Sequence, residues 1–117
     1  SLRKQSMDVV NTLSDHMLGL LLERCDREFL TPLLAYDARI VRENLDLEQF
    51  LETADCLILA DMKLDTAAKL LHLHKNSVIA RLKKIKEVLH INPVSIPRDA
   101  AFLHCLCFYL ENQPAGR

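Results

Sequence analysis

Between Lys75 and Leu89 the chain sets out Lys75, Asn76, Ser77, Ala80, Lys83 and Lys84 around a short apolar repeat. Each of these side-chain types has a partner on a nucleic acid. The Asn76 amide carries a donor beside an acceptor and can make a two-point contact with adenine. Ser77 can reach a base or a phosphate, Ala80 can meet a thymine methyl, and the ammonium groups suit phosphate oxygens. At about 100° per residue, Val78, Leu82, Ile85 and Leu89 fall within about 60° of one another, a narrow core stripe. Asn76, Ala80, Lys83 and Glu87 then lie opposite, flanked by Ser77 and Lys84. The same pattern is also compatible with a lysine-rich solvated face on an ordinary helix.

Other reactive residues point away from catalysis. His72 and His74 sit close together, but no third ligand is near in sequence, and His90 and His104 fall on other predicted elements; capping or turn packing is the expected role. Arg81 lies nearer the apolar stripe than the outer side, where an ion pair with an acidic residue of a preceding helix competes with a DNA contact. Cys25, Cys56, Cys105 and Cys107 lie within apolar helical patterns, which predicts free buried thiols rather than disulfides. Cys105 and Cys107 would point about 200° apart on one helix and could not share a metal ion. No carboxylate pair, Cys/His dyad, glycine-rich phosphate loop or metal-spaced cluster stands out, so neither an enzyme nor a bound cofactor is expected.

The elements that must position the basic residues are helical. Only two glycines and four prolines punctuate 117 residues that are half apolar, which favours an all-α chain able to bury a real core. The net charge of −1 hides a polarity. Glu23 to Asp61 holds ten acidic and four basic residues, whereas Met62 to Arg98 holds two acidic and eight basic. Such a block is the footprint of a polyanionic partner, although a positive face can also be solvated or dock on an acidic one. No stretch of about 18 residues is free of charge and no signal-peptide pattern opens the chain, so no membrane association and a cytoplasmic location are expected.

Apolar residues at 7, 10, 13, 17, 18, 21 and 22 predict an amphipathic lead-in helix. Thr31-Pro32 reads as an N-cap with Pro at the first helical position. Asp46 is expected to cap a helix from about Leu47 to Ala60, ended by Asp61-Met62-Lys63. Asp65 then offers a cap to a short helix, Thr66 to Leu71, in which Ala67 and Ala68 permit close approach. His72-Leu73-His74 follows, and then the basic helix. A short helix, a three-residue turn and a longer helix are the parts of a helix-turn-helix, here without the usual turn glycine. Lys69 and Arg81 are expected to face other helices. After His90-Ile91-Asn92-Pro93, Pro97 opens a closing helix so apolar that it must be buried on several sides, either as core keystone or partly as a dimer or interdomain surface.

The stretch DTAAKLLHLHKNSVIARLKKIKEVL, with LTPLLAYD before it and an apolar helix after INPVSIPRDA, resembles the C-terminal domain of the PucR-like purine-catabolism and sugar-diacid regulators of bacteria. The resemblance covers most of Thr31 to Leu110. It implies a homeodomain-like DNA-binding domain of five to six helices, following an upstream sensory region that responds to a metabolite. Residue by residue, Asn76, Arg81, Leu82 and Ile85 match, Lys75 stands where Arg is usual, and Ser77 replaces Thr. Ile79 stands in place of an Arg and Ala80 in place of a Tyr, which implies a sequence preference unlike that of relatives.

The expected organisation is a lead-in over residues 1–30, a DNA-binding domain over 31–112 and a frayed tail over 113–117. The expected partner is double-stranded DNA, with homodimerisation left open. The competing reading is an interaction or dimerisation module that keeps the fold with weakened or lost DNA binding, using Ile79 and the closing helix.

Overall fold

A computed structural model describes residues 17–112, and six helical segments occupy them with no strand. α1 is helical over residues 17–24, followed by α2 (Arg27–Asn44), α3 (Leu47–Leu59), α4 (Leu64–Leu71), α5 (Lys75–Leu89) and α6 (Pro97–Glu111). The expected all-α architecture is the observed one. Of the lead-in stripe, positions 7, 10 and 13 lie outside the described residues, as does the expected frayed tail. Within them Leu22 is buried and Leu18 half-buried, while Met17 and Leu21 are exposed.

The start of α2 corrects the Thr31-Pro32 reading. Asp26 is the N-cap, its carboxylate accepting from the Phe29 N–H at 2.8 Å, so residues 30 and 31 lie inside one continuous helix. Pro32 is tolerated there because the carbonyl it leaves without a donor belongs to Glu28, on the solvent side of α2, where water can serve it. Thr31 caps nothing; its hydroxyl donates back to the Arg27 carbonyl at 2.7 Å and lies 3.2 Å from the Tyr109 hydroxyl. Asp46 does cap α3 as expected, accepting from the Gln49 N–H at 3.0 Å.

α6 is the keystone. Leu103, Leu106, Cys107, Tyr109 and Leu110 are buried against Leu30, Leu34, Ala38 and Val41 of α2 and Phe50 and Ala54 of α3, with Ile85 and Leu89 of α5 closing the cluster. Each fully buried leucine contributes roughly 1.5–3 kcal/mol relative to exposure. Arg27 fastens the start of α2 to the end of α6. Its guanidinium donates to the Tyr109 carbonyl at 3.1 Å and the Asn112 carbonyl at 3.3 Å, and it lies 3.9 Å from the Tyr109 ring centroid. A cation is favoured both at a helix C-terminus and over an aromatic face.

A second, smaller cluster holds the other end: Leu57 and Ala60 of α3, Ala67, Ala68 and Leu71 of α4, and Val78 and Leu82 of α5. All four cysteines are free, but only Cys107 is fully buried; Cys25, Cys56 and Cys105 are half-buried at the margins. Burial pushes the Cys107 thiol far above its ordinary range and leaves it unreactive. No helix among the described residues is long and apolar enough to cross a membrane.

Candidate nucleic-acid interface

Two helix ends set the geometry of the basic surface, and neither uses glycine. α4 ends with the Leu73 N–H bonded to the Ala68 carbonyl at 3.0 Å and the His72 N–H to the Lys69 carbonyl at 3.2 Å, while His72 adopts φ 55. This is a Schellman termination with histidine in the left-handed position. α3 ends the same way: the Met62 N–H reaches the Leu57 carbonyl at 2.7 Å and the Asp61 N–H the Ile58 carbonyl at 3.1 Å, with Asp61 at φ 53 and Met62 at φ 62. These turns fold α4 back onto α3 and deliver α5 across α4.

The turn then feeds directly into α5. His74 is its N-cap, Nδ1 accepting from the Asn76 N–H at 3.1 Å, so the neutral ring carries its proton on Nε2. The capping role expected for this histidine is the one it has. Among the described residues no group of His, Cys, Asp or Glu has the spacing of a metal site.

Along α5 the two faces separate as the 3.6-residue period requires. Val78, Leu82, Ile85 and Leu89 are buried, whereas Lys75, Asn76, Ser77, Ala80, Lys83 and Lys84 are all exposed. All six expected site residues therefore share the accessible part of one helix. Arg81 is turned inward: its guanidinium donates to the Thr53 hydroxyl at 3.2 Å and sits 3.7 Å from the Glu52 carboxylate. Thr53 is a buried polar residue of α3, and this bond satisfies it. Arg81 thus fastens α5 to α3.

Several expectations about the surroundings need correction. Asp65 does not cap α4; Lys63 holds the N-cap position without a side-chain bond, and Asp65 lies within the first turn. Its carboxylate instead stands 3.2 Å from the Lys75 ammonium, joining the first turns of α4 and α5. Lys69 was expected to face another helix but is exposed, because the narrow apolar side of α4 is filled by Ala67, Ala68 and Leu71. Lys86 is exposed too and lies seven positions after Ile79, on the same side of α5. That spacing was the available signal for adding it to the surface.

Elsewhere the fold brings together groups that lie far apart in sequence. Glu111 of α6 meets Asp55 of α3, and burial together with that neighbouring carboxyl raises the Glu111 pKa to about 7. The pKa of His104, two turns before Glu111 on the same side of α6, is lowered by burial, partly countered by Asp55. A cavity of about 780 Å³ forms an open groove between the α3–α4 turn, the α5–α6 loop and α6, and includes His104 but neither Asp55 nor Glu111.

A family profile described as the PucR C-terminal helix-turn-helix domain matches residues 50–107, from α3 through most of α6. No curated protein and no solved structure gives a significant match. With the short α4, its left-handed end, the His74 cap and the exposed face of α5 all inside the matched span, residues 50–107 are a helix-turn-helix domain of the PucR C-terminal family.

Proposed function

We propose that this chain is the DNA-binding part of a bacterial transcription regulator, with α5 as its recognition helix in the major groove. The observation that carries the reading is the division of α5: its stripe of Val78, Leu82, Ile85 and Leu89 is buried, its one arginine is turned to α3, and the remaining polar and basic side chains are exposed. The α5 N-terminus carries the positive end of the helix dipole, which favours approach to the phosphate chain. Asn76 reads adenine, Ser77 a base or phosphate, Ala80 a thymine methyl, and Lys83 and Lys84 bind backbone. Metabolite response belongs to an upstream sensory region, and pairing of two such chains would set two α5 helices on successive half-sites.

Three to five phosphate contacts correspond to a log–log salt slope of roughly −3 to −4.5 for binding to random-sequence duplex. Titration of the 117-residue chain at several salt concentrations measures it. A second reading has its own observation: Ile79 and Leu70 are 42% and 46% exposed on the helix-turn-helix itself. An interaction module using them would bind a protein partner and leave duplex DNA unbound at low salt.

A further inference from the structure

Of the six exposed residues assigned to the surface of α5, Lys75 is the one whose side chain is ion-paired among the described residues, with Asp65 at 3.2 Å. The geometry is specific to the helix-turn-helix. Asp65 sits in the first turn of α4 and Lys75 is the first residue of α5, so the ion pair spans the turn between two helix N-termini. Both side chains are accessible, 76% for Asp65 and 48% for Lys75, so the pair stands at the surface that approaches a phosphate chain. A carboxylate there repels phosphate and neutralises the lysine that would otherwise attract it.

We propose that Asp65 limits the affinity of this surface for DNA of any sequence, holding Lys75 out of the sequence-independent phosphate contacts. The inference rests on the DNA-binding reading above. A phosphate-bound lysine releases a counterion and strengthens binding to every sequence equally. A lysine neutralised within the protein adds nothing to that term. The remaining affinity is then weighted toward Asn76, Ser77 and Ala80, whose contacts discriminate between bases. The native chain therefore binds every sequence more weakly than its exposed lysines alone would allow, with the ratio between sequences unchanged.

The test is a double-mutant cycle on the 117-residue chain, titrating fluorescent random-sequence duplex between 50 and 200 mM salt. Asp65→Asn should steepen the salt slope by about one unit, which adds about a 3.5-fold loss of affinity across that fourfold range. Lys75→Gln should leave the native slope unchanged but abolish the steepening in the Asp65→Asn background, and Asp65→Glu should keep the native slope. A native-like slope in Asp65→Asn, or additive effects of the two substitutions, overturns the proposal while leaving DNA binding intact. A slope already reduced by one unit in Lys75→Gln alone also overturns it, and needs no Asp65 variant. Absence of duplex binding by the native chain at low salt overturns the DNA-binding reading, and the role of Asp65 with it.

Discussion

The two ends of the molecule are built differently. Around α6 the core is large and made of leucines and aromatics, with Leu103 and Leu106 fully enclosed between α2 and α3. Around α4 it is small, and Ala60, Ala67 and Ala68 make much of the contact. Small side chains let α3, α4 and α5 approach closely but bury little apolar area for each contact. The helix-turn-helix is thus positioned by shape, by the His72 and Asp61 terminations and by the Arg81 link, whereas the α2–α3–α6 end supplies the bulk of the stability.

The sharpest break in that contrast is Leu103→Ala, which should cost about 2–5 kcal/mol in a denaturant melt and unfold both ends together. Ala67→Leu comes next. Forcing an isobutyl group between α4 and its neighbours should cost about 1–3 kcal/mol and shift α4 before it disturbs α6, visible as hydrogen-exchange loss confined to residues 60–82. If the loss spreads equally to α6, the two ends are not separable.

A smaller effect, of opposite sign, is expected at the turn. His72→Gly removes the Cβ penalty of a left-handed residue but adds glycine's unfolded-state entropy, leaving a gain of up to about 1 kcal/mol. A lower melting temperature would contradict the assigned termination. The smallest expected effect is the pH response of Glu111, whose exposed position lets solvent screen most of it. Its folded pKa, about 7, lies above the ordinary 4.5, so the folded state binds the extra proton and stability falls as pH rises between those values. His104, lowered by burial, acts in the opposite sense, its contribution being lost as pH falls below the ordinary 6.5. The difference between native and Glu111→Gln isolates the carboxyl. Native stability relative to that variant should drop from pH 5 to pH 8, and a flat difference would remove the Asp55–Glu111 interaction.

What the sequence made legible followed from period and from local caps. Val78, Leu82, Ile85 and Leu89 declare their stripe at 3.6-residue spacing, Asp46 caps the helix after it, and the position of Arg81 beside the stripe foretells its inward pairing. What was illegible depended on choices the residue types do not announce. The breaks at Asp61, His72 and His90 were expected, but not that these residues would take left-handed backbone without being glycine. Thr31-Pro32 imitates a helix start, but Asp26 had already begun the helix upstream. Asp65 is equally suited to a cap or a first turn, and only the approach of Lys75 reveals its partner. The meeting of Asp55 and Glu111 is created by packing α3 on α6, and no local pattern could announce it.

The central claim is that the outer face of α5 binds DNA, and the most direct measurement is the salt dependence of duplex binding by the combined Lys83→Ala, Lys84→Ala variant beside the native chain. Both lysines are exposed and the buried stripe is untouched, so far-UV circular dichroism should show the fold retained. The native chain should bind with a slope of roughly −3 to −4.5, and the variant should lose about 1.8 units of it, weakening all sequences alike. A folded variant with the native slope, or a native chain that ignores duplex DNA at low salt, would contradict the assignment of this face.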